Sequence, residues 1–290
     1  MGLSSLSPRR RLLAAGVALA VVAAVAAAAV MALRAAPRQG RPGEVPAVLV
    51  PGYDGTPSSL GTLAARLRAG GRRVVVVALP DRGTGDLAAA ARVLERTVDR
   101  TGAASVDLVG YSAGGIVVRA FLADRGGAAR ARRVVLLGTP NHGTDLAGAA
   151  AALDARLCAG ACAQLVPGSA LLARLNRDET PAGPAFTTIW TARDQTVTPP
   201  ASARLEGAVN VRVQDVCAGS EVGHGGLVRD ALVLGLVARA LDGALARPPG
   251  PADCADLRSP TRPAAGTGPA SRRARRGARA AASDGLGPAP

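Results

Sequence analysis

The chain has 290 residues, enough for one large α/β domain with a substantial core or for two small domains. Its formal net charge of +14 comes mainly from its ends, because residues 1–43 carry six arginines and no acids and residues 248–290 carry seven arginines against three aspartates. The middle is nearly neutral and lacks aromatic residues interleaved with basic ones, so the composition argues against a nucleic-acid-binding protein.

The N-terminal segment, residues 1–43, has the pattern of a targeting sequence followed by a short linker. Arg9–Arg11 precede an uncharged run, residues 12–33, which Arg34 closes. As a helix these 22 residues would rise about 33 Å, enough to cross a bilayer core, so the run predicts a membrane anchor. A cleaved signal peptide is the alternative, because the run consists mostly of alanine. In both cases we expect the rest of the chain to be exported.

Short apolar runs alternate with helical segments through residues 44–247. The predicted strands are 45–50, 72–78, 106–110, 133–138, 187–191 and 209–213, and the predicted helices are 58–69, 86–101, 113–122 and 227–245. This alternation predicts one α/β domain with a doubly wound, mostly parallel sheet and helices on both faces. Residues 248–290 are rich in Pro, Ala, Gly and Arg without apolar periodicity, which predicts a disordered tail beyond Cys254.

Residues 106–122 combine a strand, the sequence Gly110-Tyr-Ser-Ala-Gly114 and a helix. G-x-S-x-G between a strand and a helix is typical of a nucleophile elbow, a tight turn that strains its serine. Glycines on either side keep Cβ atoms away from the neighbouring strand and helix. The turn lifts the Ser112 hydroxyl above the sheet edge, where the helix N-terminus stabilises an oxyanion. Ser112 is therefore the candidate nucleophile, and an ordinary glycine-rich turn is the alternative.

A serine nucleophile needs a base, and the base needs an acid that orients it. The chain has two histidines, and His224, in a glycine-rich loop before the last helix, fits the order nucleophile, acid, histidine. We expect His142 to be structural, with its hydrogen bonds inside its own loop. Asp194, directly after strand 187–191, is the candidate acid, and Asp215 is the runner-up.

The oxyanion of an acyl-transfer reaction needs two fixed N–H donors. One is expected to be the amide of Ala113, which follows the nucleophile. The other is expected in the turn after the first strand, residues 51–55, where we select the amide of Tyr53. A plain glycine-rich turn is the alternative for this segment.

Five motifs carry a resemblance to a known family. They are Leu-Val-Pro-Gly-Tyr at 49–53, Gly-Tyr-Ser-Ala-Gly-Gly at 110–115, Gly-Thr-Pro-Asn-His-Gly-Thr at 138–144, Arg-Asp at 193–194 and Val-Gly-His-Gly at 222–225. With them, residues 45 to about 245 resemble secreted bacterial lipases and esterases of the α/β-hydrolase superfamily, in particular those of actinobacteria. One departure is Pro51, which stands where related lipases usually have a histidine in the first turn.

The resemblance implies an α/β-hydrolase domain over residues 44–247 with a short cap segment. It also implies hydrolysis of carboxylic esters through Ser112, Asp194 and His224, with no cofactor and no metal. We expect a monomer that acts on a lipid or small ester, contacts a membrane through residues 12–33 if they stay uncleaved, and binds no nucleic acid. A thioesterase, amidase or acyltransferase with the same triad is the alternative, followed by a non-catalytic envelope binding module.

Four cysteines in an exported chain indicate disulfide bonds, and four cysteines allow three pairings. Cys158 and Cys162 lie close together in the sequence, so we expect them to pair and to leave Cys217 with Cys254. A zinc site is the alternative, but no histidine and no second closely spaced cysteine pair supply the remaining ligands.

Overall fold

A six-stranded sheet forms the centre of the computed structural model, which describes residues 45–156 and 158–259. Its strands are β1 (Ala47–Val50), β2 (Val74–Val76), β3 (Val106–Tyr111), β4 (Ala131–Leu137), β5 (Ala185–Trp190) and β6 (Val209–Arg212). All neighbours pair in parallel, in the order β2-β1-β3-β4-β5-β6. The chain therefore reverses its direction of winding between β1 and β3, and such a switch point is where ligands bind in open α/β sheets.

Helices cover both faces of the sheet, which confirms the predicted fold class. They are α1 (Gly61–Ala69), α2 (Leu87–Arg100), α3 (Ala113–Asp124), α4 (Asp145–Leu153), α5 (Ala161–Gln164), α6 (Ala170–Leu175), α7 (Val213–Val216), α8 (Ala231–Asp242) and α9 (Cys254–Arg258). Helices α2 and α3 pack on one face and share a core with Val48 and Val50, whereas α1 and α8 pack on the other with Ala47 and Leu49. Successive residues of β1 thus point into opposite cores, as a strand's two-residue period requires.

Several boundaries differ from the sequence-based expectation, and local hydrogen bonds explain them. Helix α8 begins at Ala231 rather than near residue 227, because the Asp230 carboxylate accepts hydrogen bonds from the first-turn amides of Leu232 and Val233. The chain was expected to be disordered beyond Cys254, but α9 follows there and buries Leu257 against the core that contains α8. Residues 260–290 of the predicted tail lie outside the described residues.

Helices α4, α5 and α6 fill the segment between β4 and β5, where the sequence led us to expect only a short cap. Gln164 of α5 joins this segment to α2, because its side-chain oxygen accepts from the Leu87 amide at 2.8 Å and its nitrogen donates to Asp86 at 3.0 Å. The Gln164 hydrogen bond is also the largest cause that lowers the pKa of the Asp86 carboxyl. The cap segment is therefore attached to the body of the domain by specific polar contacts.

A buried carboxylate ties the strands together at the amino end of the sheet. Asp107 is fully buried and accepts hydrogen bonds from Arg132 at 2.9 and 2.6 Å and from Arg72 at 3.1 Å. Arg72 also pairs with Asp242 at the end of α8. A buried carboxylate is stable only when hydrogen bonds and opposite charges compensate for its lost hydration. This network therefore fixes the position of α8 relative to β3. It lies at the sheet edge opposite Ser112.

Two disulfide bonds are formed, Cys158–Cys162 and Cys217–Cys254. All four cysteines are used, so no thiolate is left for the alternative zinc site. The second bond joins the residue after α7 to the start of α9 and so attaches the end of the domain to its last strand region. None of the helices within residues 45–156 and 158–259 is long and apolar enough to cross a membrane. The predicted anchor or signal run, residues 12–33, lies outside the described residues.

The two disulfides should contribute unequally to stability. Cys217–Cys254 links residues 37 positions apart and Cys158–Cys162 residues 4 apart. Loop-closure entropy predicts that Cys217→Ala with Cys254→Ala lowers the free energy of unfolding by roughly 3–4 kcal/mol, and that the other pair of substitutions lowers it by about 2 kcal/mol or less. Urea unfolding of both double variants measures this difference. A larger loss from the short bridge would contradict the expectation.

Candidate active site

The turn between β3 and α3 holds Ser112 in a strained backbone conformation. Its φ is 52° and its ψ −129°, a combination that a residue with a side chain rarely adopts. A Cβ added at Gly110 would lie 2.5 Å from the Cα of Gly115, and one added at Gly114 would collide with the carbonyl oxygens of Val50 and Pro51. The glycines of the motif are thus required by close backbone packing, as expected of a nucleophile elbow.

Ser112, His224 and Asp194 are brought together in a hydrogen-bonded chain. His224 Nε2 lies 3.0 Å from Ser112 Oγ, and His224 Nδ1 lies 2.7 Å from Asp194 Oδ2. The other carboxylate oxygen, Oδ1, accepts from the amides of Thr196 at 2.9 Å and Val197 at 2.8 Å. Asp194 and His224 are both largely shielded from water. The arrangement can take the hydroxyl proton onto the imidazole while the carboxylate holds the ring in position.

The three side chains come from different loops at the carboxyl edge of the sheet. Ser112 follows β3, Asp194 follows β5, and His224 lies in the connection between α7 and α8. Gly138, at the end of β4, makes room for the imidazole, because an added Cβ would lie 3.2 Å from His224 Nδ1. Its φ of 51° also favours glycine. The sequence motifs do not assign this role to Gly138, because its contact with His224 spans more than eighty positions.

The turn after β1 lies against the nucleophile. A Cβ added at Gly52 would be 2.9 Å from Ser112 Cβ and 3.5 Å from Ser112 Oγ. The turn is held by Gly55, whose amide donates to the carbonyls of Gly52 at 3.1 Å and Arg82 at 3.0 Å. Tyr53 follows Gly52 in this turn, and Ala113 is the first residue of α3, so its amide has no acceptor within the helix. Both predicted oxyanion donors therefore come from segments that border Ser112.

Comparison with known protein families gives a match over part of the chain. Residues 85–224, just under half of the chain, match the family model described as Lipase (class 2). This range includes Ser112, Asp194 and His224. No curated protein sequence matches the chain.

Solved structures share the architecture at low sequence identity. Aspergillus fumigatus lipase B has a TM-score of 0.62 and 21% identity, covering 77% of this chain and 57% of its own. Mature Bacillus licheniformis lipase BlEst2 has a TM-score of 0.51 and 22% identity, covering 65% of this chain and 88% of its own. MGS-MChE2, an α/β-hydrolase from a metagenome of sediments of the lagoon of Mar Chica, Morocco, has a TM-score of 0.50 and 18% identity, covering 70% of this chain and 91% of its own. The chain has the α/β-hydrolase fold.

Two other candidates from the sequence lie away from Ser112, Asp194 and His224. Asp215, the runner-up acid, pairs with Arg212 on the surface and is about half exposed, so it is not placed to orient His224. His142 was expected to form its hydrogen bonds inside its own loop, and that prediction is wrong. Its Nε2 lies 2.8 Å from Glu179 Oε1 and its Nδ1 3.2 Å from the Ser202 carbonyl oxygen.

A buried arginine fixes the cap segment to the nucleophile helix, and sequence motifs did not identify it. Arg119 of α3 is 3% exposed. Its guanidinium donates to the Leu175 carbonyl at 2.9 Å, to Asn176 Oδ1 at 2.8 Å and to the Asn141 carbonyl at 3.3 Å. Burial lowers the pKa of Arg119 to about 10, so the side chain keeps its charge at neutral pH. The cap is thus attached directly to the helix that begins at the candidate nucleophile.

No cluster of three or more His, Cys, Asp or Glu side chains that could hold a metal ion occurs in the described part of the chain. The polar side chains at the carboxyl edge of the sheet are instead committed to the hydrogen-bonded chain of Ser112, His224 and Asp194. This hydrogen-bonded arrangement can activate the Ser112 hydroxyl as a nucleophile.

Proposed function

We propose that the chain is a serine ester hydrolase of the lipase or esterase type, which forms an acyl-enzyme on Ser112. The proposal rests on two hydrogen bonds that link these three side chains. Ser112 Oγ lies 3.0 Å from His224 Nε2, and His224 Nδ1 lies 2.7 Å from Asp194 Oδ2. A nucleophile, a base and an orienting acid in this geometry are what acyl transfer from an ester requires. The match to class 2 lipases adds support from sequence.

In the first half of the reaction Ser112 Oγ attacks the ester carbonyl carbon while its proton moves to His224 Nε2. The carbonyl π electrons move to oxygen, and the resulting oxyanion accepts hydrogen bonds from the Tyr53 and Ala113 amides. Asp194 stabilises the imidazolium through Nδ1. Collapse of the tetrahedral intermediate breaks the ester C–O bond, and the alcohol leaves with the proton from His224.

In the second half water replaces the alcohol. His224 accepts a proton from the water as its oxygen attacks the acyl carbon, and the same amides stabilise the second oxyanion. Breakdown of this intermediate returns the proton from His224 to Ser112 Oγ and releases the carboxylic acid. Both halves use only side-chain and backbone groups of the chain.

Exposed hydrophobic side chains support an ester with an apolar acyl chain as the substrate. Within residues 45–156 and 158–259, the exposed large hydrophobic side chains are Tyr53, Leu146 and Leu153. Tyr53 belongs to the turn beside Ser112, and the two leucines share one face of α4, seven residues apart. The two disulfide bonds support action outside the cytoplasm, where such bonds persist.

Loss of the nucleophile and loss of the base should be equally damaging. Ser112→Ala and His224→Ala are each expected to lower kcat for a p-nitrophenyl ester by roughly 10⁴- to 10⁶-fold. Because the two residues act as one unit in proton transfer, the double variant should be no slower than either single variant. His142→Ala, at the other histidine, should lose far less activity. A folded Ser112→Ala protein with wild-type turnover would refute the proposed function.

The two aspartate candidates can be separated in the same assay. Asp194→Asn is expected to lower kcat by about 10³- to 10⁴-fold, because an amide cannot hold the imidazole in the required tautomer. Asp215→Asn is the matched control and should retain wild-type turnover, since its partner is the surface residue Arg212. A large loss of kcat in Asp215→Asn, together with wild-type turnover in Asp194→Asn, would instead assign the role of orienting acid to Asp215. Rates with matched ester, thioester and amide substrates test the reaction class.

A further inference from the structure

The proposed catalytic histidine lies on a glycine-rich loop, which the Thr191 hydroxyl anchors before the histidine by donating to the Val222 carbonyl oxygen at 2.5 Å. Residues 221–226, called the His loop here, contain Gly223, Gly225 and Gly226 around His224, and only a single 3-10 turn forms within them. Glycine gives a backbone many accessible conformations, so this sequence alone does not fix the direction of the imidazole. Holding Nε2 within reach of Ser112 therefore requires contacts from outside the loop.

Two side chains supply such contacts to successive carbonyl groups. The Tyr111 hydroxyl donates to the His224 carbonyl oxygen at 3.3 Å, and Arg229 Nε donates to the Gly225 carbonyl oxygen at 3.2 Å. The Tyr111 ring also packs against the imidazole, with centroids 5.2 Å apart and planes tilted by 33°. The loop is thus held through its backbone and through the face of the catalytic ring.

Tyr111 is a rigid point of attachment. It is the last residue of β3, pairs in register with Leu137 of β4, and packs against the core beneath α1 and α8. It directly precedes Ser112, so neighbouring residues of one strand end contact the two ends of His224. Ser112 Oγ meets the ring at Nε2, and the Tyr111 hydroxyl meets the backbone carbonyl. A displacement of the loop relative to the nucleophile would break both contacts.

The Tyr111 hydroxyl keeps its proton over the working pH range. Burial, and then the negative charge of Asp194, raise the pKa of this phenol to about 12, against a smaller opposing effect of the Arg229 guanidinium. The neutral phenol is the form that donates a hydrogen bond. The bond to His224 is therefore available at every pH at which ester hydrolysis is normally measured.

We propose that Tyr111 and Arg229 form a clamp on the His loop that positions His224 for proton transfer with Ser112. The clamp rests on the proposed function, because it acts through the base of that reaction. Neither side chain exchanges a proton with substrate. Their contribution is geometric: small displacements of a catalytic group cost large factors in rate even when ground-state binding is unaffected.

The test compares three variants of the full chain. Tyr111→Phe removes the hydroxyl and keeps the ring, and Arg229→Met removes the second donor at an exposed position that does not endanger folding. Ser220→Ala is the matched control, because Ser220 is also buried beside the loop but its hydroxyl has no partner within the described residues. With a short p-nitrophenyl ester, Tyr111→Phe should lower kcat about tenfold with KM unchanged, Arg229→Met should lower it less, and Ser220→Ala should leave it unchanged.

A spectroscopic measurement separates positioning from general destabilisation. The proton between His224 Nδ1 and Asp194 is expected at low field in the proton NMR spectrum, and Tyr111→Phe should shift or broaden it while Ser220→Ala leaves it in place. Wild-type kcat and an unchanged resonance in both clamp variants would overturn the clamp. If Ser112→Ala is inactive in the same series, the proposed function survives that result. If Ser112→Ala stays active, the proposed function itself has failed.

Discussion

The positive φ of Ser112 is the constraint on which the rest of the site depends. A non-glycine residue in such a conformation costs on the order of 1–3 kcal/mol and persists only where its surroundings determine it. Here β3 is paired on both sides, α3 is buried along its first three turns, and Gly110 and Gly114 allow the backbones to approach. The energy of packing the central strand and helix thus holds the hydroxyl above the sheet edge.

The amino and carboxyl ends of the sheet make different kinds of contact. At the amino end, buried Asp107 and its arginine partners connect β3, β4 and the end of α8. At the carboxyl end, hydrogen bonds from several loops position Ser112, Asp194 and His224. The Cys217–Cys254 bond extends this support to the connection that carries His224.

Much of this arrangement could be predicted from sequence, because its signals are local. The run of a strand, G-x-S-x-G and a helix predicts the elbow around Ser112, and parallel strands bring the residues that follow them to one edge. The chain order then selects His224 and Asp194, which the structure places in hydrogen-bonding distance. The helices of the cap were not resolved by periodicity, since they are short and rich in alanine, and their position depends on tertiary contacts.

The parts that sequence patterns missed are contacts between distant residues. His142 reaches Glu179, 37 positions away, and Tyr111 reaches the His224 carbonyl, 113 positions away. In the sequence Arg119 does not differ from other helical arginines. Only the structure shows that it donates to the carbonyl oxygens of Asn141 and Leu175. No local signal encodes such partners, because each depends on how two loops meet once the sheet has formed.

The central claim is that Ser112 is the activated nucleophile, and covalent labelling tests it most directly. The folded protein is treated with a fluorophosphonate, digested and mapped by mass spectrometry. The account predicts a single adduct, on the peptide that contains Ser112, and much slower labelling when His224 is replaced by alanine. An adduct on another serine, or no adduct on folded protein, would contradict it.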